Sequence, residues 1–331
     1  MMRKFRTWFT ALRKGKQSDG PFEEHHKNGQ IKCRGNYENG QLVGAYESYY
    51  ANAQLESRGN YENGQLVGAY ESYYANEQLE SRGSFENGFK TGDWTTFFEN
   101  GHTQFQGHYS DGQLHGNQTW FHKNSQPRER QTYTSGAKNG RWELYHTDGQ
   151  LKSRGNCQDN MRTGLFEVFF TNGQLRSKGT HKHDKRDGQY ESYYENAQIE
   201  STGIFNNGKR EGLWEVYFDN GQLQHKNNYK DDIVIGPFEQ FYKNGQLESV
   251  GCLVNGKKHG LYKEYSENGQ LITLENYKHG LRDGSYESYY PCGQLKSKGA
   301  FDNDTLHGPF EIYQENGELV EKGTYKNGTP Q

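Results

Sequence analysis

Cysteine and proline are scarce in these 331 residues, with four of one and six of the other. Cys33, Cys157, Cys252 and Cys292 form no CxxC pair and read as free thiols, which argues against a disulfide framework or a zinc ribbon. No run of about 18 apolar residues and no secretory leader pattern is present. The chain is therefore expected to be cytoplasmic, or peripheral at the inner face of a membrane, and not to span one. GxGxxG, Walker A, HExxH and GxSxG are missing, so no cofactor, metal or catalysis is expected. Apolar residues make up only 30% and mean hydropathy is −1.20, values that by composition alone describe a disordered polar chain.

What is present reverses that reading. Aromatic residues reach 15%, and 13 of the 42 glycines, from Gly20 and Gly44 to Gly284 and Gly308, stand 24 residues apart without an insertion. A period of this length marks a stacked repeat architecture, in which each unit buries its apolar face only against its neighbours. The expected fold is all-β: an elongated, open, solenoid-like antiparallel sheet of about thirteen 24-residue β-hairpin repeats over 20–331, with a short amphipathic helix in residues 1–19. Two strands per repeat advance about 9.6 Å, or on the order of 125 Å for the whole.

The unit from Gly44 to Val67 shows how one repeat should pair. Its strands are expected at Ala45–Tyr50 and Leu55–Tyr61, with turns near Asn52 and Asn63. The first turn is usually Asn-Gly or Asp-Gly, as at Asn172-Gly173, and those dipeptides favour a type I′ hairpin. Phe166 then faces Gly179, Glu167 faces Lys178 and Phe170 faces Leu175. In the Gly44 unit the same register sets Tyr46 over Gly59 and Glu47 across from Arg58. One face should collect the third-position rings, among them Trp94, Trp142 and Trp214; the other should hold the glutamates, their basic partners and a ring such as Tyr49, all solvated. Trp94, Trp142 and Trp214 are read either as partner-binding residues or as core.

The repeat from Gly116 departs most, with Gln118 for the ring, Ser125 for the turn glycine, Pro127 opening its second strand and Gln131 for the inner glycine. It reads as a bend, a site or plain drift. His181, His183 and Asp184 lie in a string that could ligate a metal but reads better as a solvated turn. His115, His259 and His307 precede period glycines and are expected in turns. The net charge is −3; removing the six Arg and Lys of residues 1–16 leaves −9 on the rest, so no nucleic-acid track is expected. In that first segment Phe5, Trp8, Phe9 and Leu12 fall at helical spacing among the basic residues. They read as a cap on the open array, as contact with an anionic membrane surface, or as a disordered or partner-binding tail.

The phrases YESYYENAQI, LKSRGN and YKNG resemble the MORN-repeat variant of YwqK-family antitoxins over 20–331. That resemblance implies a curved antiparallel sheet that binds something, and a protein partner in the form of a cognate toxin. It supplies no site residues. A homo-oligomer joined through the apolar face is a further expectation for a one-layer sheet.

Overall fold

The computed structural model describes residues 18–331, so the expected N-terminal helix, with Phe5, Trp8, Phe9 and Leu12, lies outside the described residues. Those described form strands and turns with no helix, and every strand pairing is antiparallel. They divide into two units, one up to Gly149 and one from Gln150. In each unit successive strands pair with the next along the chain, so each is an open meander whose partners are its sequence neighbours.

Each repeat contributes a nine-residue outgoing strand, such as Gln41–Tyr49, and an eight-residue return strand, such as Leu55–Glu62. The outgoing strand begins earlier than the sequence suggests, because Gly44 sits inside it. Its φ of 67° bends the strand, and one residue of the preceding return strand, Gly35, faces three residues, Gly44 to Tyr46. The period glycine is thus a β-bulge and not a strand end. Only glycine takes that conformation in a strand at little cost, which accounts for its strict recurrence.

The turns are assigned differently from expectation. At the first turn only the residue after Asn52 has positive φ, Ala53 at 66°, and Ala53 N–H donates to Tyr50 carbonyl at 2.9 Å while Tyr50 N–H donates to Gln54 carbonyl at 2.8 Å. That is a type I turn followed by a bulge, the three-residue hairpin loop. It shortens the register by one, so Leu175 faces Phe169, not Phe170, while Phe166 and Glu167 face Gly179 and Lys178 as expected. The type I′ turn is the other one, at Asn63-Gly64, with φ of 50° and 77°.

The core is a row of rings laid over return-strand glycines. A Cβ on Gly35 would come within 3.0 Å of Phe22 and 3.2 Å of Tyr46, rings of its own repeat and the next. Trp94 is 1% exposed, Trp214 5% and Phe238 7%. The indole N–H groups of Trp94 and Trp214 each donate to a backbone carbonyl, Ser84 and Ile204, at 3.1 Å. In the Gly116 repeat Gln118 takes the ring position fully buried and Gln131 the glycine position at 3% exposure, so the departure from pattern is absorbed as a polar core.

Candidate interaction face

Counting each repeat from its period glycine, alternation places the second, fourth and sixth residues on the face opposite the rings, and cross-strand pairing sets the return-strand base beside them. Most of the fourth-position glutamates are held, not freely solvated. Tyr49 hydroxyl donates to Glu47 Oε2 at 2.7 Å and Arg34 Nε donates to the same oxygen at 2.7 Å. The arrangement recurs at Arg58, Glu71 and Tyr73, and at Lys178, Glu191 and Tyr193. Glu47 faces Arg34 on the preceding return strand and Arg58 on its own, and its ion pair runs to Arg34. The pairs of Arg34, Arg58, Arg154, Lys178 and Lys298 link a return strand to the next repeat, whereas Lys226 pairs with Glu215 inside its own repeat.

These bonds set the charge states. The Tyr49 hydroxyl, and then Arg34, hold Glu47 below the usual carboxylate range, and Tyr73 and Arg58 do the same for Glu71. The reciprocal bond from Glu287, with burial, pushes the Tyr289 hydroxyl up to about 12. Glu47 and Glu71 are thus held ionised with Tyr49 and Tyr73 fixed beside them, and further along the face Glu143 is only 14% and Glu167 18% exposed.

Its outer edge differs between the units. Beside the glutamates of the first unit the second position holds Ala45, Ala69, Asp93, Asn117 and Arg141. In the second unit Leu165, Leu213 and Leu261 stand there 51%, 43% and 43% exposed, alternating with Gln189, Pro237 and Ser285, and Ile204 on a return strand is 46% exposed. Ile204, Leu213, Thr202, Glu191 and Glu215 line a cleft of about 240 Å3 that opens where Thr202 replaces the usual base.

Of the other residues singled out in sequence, Trp94 and Trp214 lie in the core and Trp142 is half-buried. His183 and Asp184 form a type I′ turn with φ of 49° and 65°, while His181 packs its ring 4.2 Å from that of Phe166 and burial lowers its pKa. His115 is inside a strand, a correction to its expected place in a turn. His259 and His307 interrupt outgoing strands at the bulge, each donating its N–H to a return-strand carbonyl. Sequence reasoning passed over the position two before each period glycine, filled by Leu42, Leu66 and Leu114 or by Lys90, Arg210, Lys258 and Arg282. The basic ones lay their charge over rings, Lys90 at 3.8 Å from Trp94 and Lys258 at 3.3 Å from Tyr262. The leucines at the equivalent sites were the signal that this position packs.

A family model described as the MORN repeat variant matches twelve segments: residues 18–39, 42–65, 66–87, 90–111, 114–134, 138–158, 162–183, 210–231, 235–255, 258–279, 282–303 and 306–327. The chain belongs to that family. Between the seventh and eighth matched segments, Lys185–Tyr193 and Ile199–Asn206 form the same two strands, so the MORN architecture is continuous through the unmatched stretch of the second unit. Among solved structures, the TCP10 domain of Danio rerio CPAP in complex with a peptide of Danio rerio STIL is similar at 14% identity and a TM-score of 0.28, over 78% of this chain and 100% of that one. A TcdB2-TccC3-Cdc42 structure is similar at 10% identity and a TM-score of 0.18, over 93% of this chain and 18% of that one. No curated protein matches the chain.

Proposed function

We propose that this MORN-repeat chain is a non-enzymatic scaffold that grips a protein partner through the face bearing the glutamate, base and tyrosine groups, and that it neutralises a toxin protein. The observation that carries the binding reading is the exposure of Leu165, Ile204, Leu213 and Leu261 beside side chains already fixed by hydrogen bonds. Ordered polar groups around exposed aliphatic anchors lose little conformational entropy on binding, which is the condition for affinity from a modest surface. Neutralisation of a toxin is the narrower part and rests on the resemblance to YwqK-family antitoxins.

The second reading, a peripheral membrane scaffold, is favoured by one feature: the basic residues set around Phe5, Trp8, Phe9 and Leu12. Co-precipitation from the native cell, with the full chain and with a chain lacking residues 1–16, distinguishes the two. A soluble protein recovered in stoichiometric amount by both chains, toxic when expressed alone and harmless when co-expressed with this protein, is the expected result. Recovery of membrane material by the full chain alone would replace the first reading with the second.

A further inference from the structure

The repeat that departs most from the pattern also breaks the row of charges. At its fourth position Thr119 replaces the usual glutamate, and the next repeat brings Arg141 to the second position, where alanine stands in the Gly44 and Gly68 repeats. The result is a cleft of about 360 Å3, within the first unit, lined by Asn117, Thr119, Arg130, Thr132, Arg141 and Glu143. Gln118 and Gln131, 0% and 3% exposed, lie beneath it with their side chains on the ring face. Gln118 Nε2 donates to the carbonyls of His108 at 3.1 Å and His115 at 2.7 Å, while its Oε1 is buried and without a hydrogen-bond partner.

Charge in the cleft does not balance. Arg141 Nη2 lies 2.6 Å from Glu143 Oε1 and Arg130 Nη1 lies 3.6 Å from Glu143 Oε2. Tyr145 hydroxyl donates to that second oxygen at 2.5 Å, so both oxygens of the one carboxylate are engaged. Two guanidinium groups, 52% and 61% exposed, thus share one carboxylate 14% exposed. Each guanidinium presents several N–H donors in a planar fork, more than a single carboxylate can satisfy. Thr132 Oγ1 donates to Asn117 Oδ1 at 2.9 Å, which turns the Asn117 amide so that its oxygen is occupied and its N–H donors remain to the cleft.

We infer that this cleft binds a single oxyanion group, a carboxylate or a phosphate, on the two guanidinium groups of Arg130 and Arg141. The site is independent of the partner assigned to the apolar edge of the second unit. Thr119 faces Arg130 directly across the strand pair. Restoring the usual residue with Thr119→Glu therefore places a carboxylate of the protein's own where the ligand would sit, without departing from the repeat's pattern.

Calorimetric titration of the full chain at low ionic strength, with inorganic phosphate and separately with glutarate, tests this. Binding of at least one probe is expected, weakening as salt is raised. Thr119→Glu and Arg141→Gln should each weaken it at least tenfold, with a melting temperature for Thr119→Glu no lower than that of the parent chain. Preference for phosphate or for glutarate identifies the source of the oxyanion. Absence of heat with both probes, or affinity unchanged in Thr119→Glu, would overturn the inference.

Discussion

The glycine beneath each ring is the residue on which this fold turns. Gly83 has no unusual φ, yet a Cβ there would collide with the Trp94 indole, whereas on Gly59 it would stop 3.1 Å from Leu66 and 3.2 Å from Tyr70. Gly83→Ala should therefore cost about 2 to 3 kcal/mol in chemical denaturation, and Gly59→Ala clearly less, since a small shift of two flexible side chains relieves it. Lys90 gives a second test. Burial pushes its amine down to about 8, below the unfolded value of about 10.4, so the folded state is penalised most below pH 8 and the penalty fades as pH rises toward the unfolded value. The contact with the Trp94 ring offsets part of it. Lys90→Leu, matching Leu66 and Leu114, should stabilise by about 1 kcal/mol at pH 7 and gain almost nothing near pH 10, as thermal melts across that range would show.

At the scale of the hairpin, the turns of neighbouring repeats are stitched together. Gly64 N–H donates to Leu42 carbonyl at 3.0 Å, and Asn76 Nδ2 reaches Glu99 carbonyl in the next repeat at 3.1 Å. Among the described residues, an aspartate takes the place of glycine at three of the four type I′ turns that lack it: Asp304, at φ 66°, accepts from Arg282 N–H at 3.0 Å and Nε at 3.1 Å. Asp304→Ala should cost about 2 kcal/mol, losing both bonds and keeping the strained φ, and Asp304→Gly roughly half that because the strain goes too. This is also the scale at which the sequence misleads. The rungs Phe166 to Gly179 and Glu167 to Lys178 were legible because size and charge complement each other across the pair. The turn types were not, since Asn28-Gly29 and Asn39-Gly40 are the same dipeptide in a three-residue and a two-residue loop. The distinguishing sign was present in the substitutions. Ala53 and Glu77 replace glycine in one turn, whereas Asp159-Asn160 and Asn303-Asp304 keep residues tolerant of positive φ at both positions of the other. On the opposite face, the sequence pairs Glu47 with Arg58, whereas the ion pair runs to Arg34, which Glu47 also faces in register.

For the whole molecule, contacts between sequence neighbours make stability close to a sum of repeats and their interfaces. Removing residues 68–91 joins Val67 to Gly92 in the frame Val67 now shares with Gly68, and every ring keeps a glycine or its substitute. That deletion should fold with unchanged circular dichroism per residue, while removal of residues 68–79 alone should unfold the neighbouring hairpins, as loss of cooperative melting would report.

The same independence of repeats confines partner binding to a defined stretch of the face, and the most direct measurement follows from it. Ile204 and Leu213 stand at positions filled elsewhere by polar residues such as Asn228 and Gln189, so Ile204→Glu with Leu213→Glu should leave folding intact. Co-precipitation from the native cell should recover a stoichiometric soluble protein with the parent chain and lose it with the double variant at equal melting temperature. Recovery of that protein undiminished by the two substitutions, or recovery of none by the parent chain, would contradict the account.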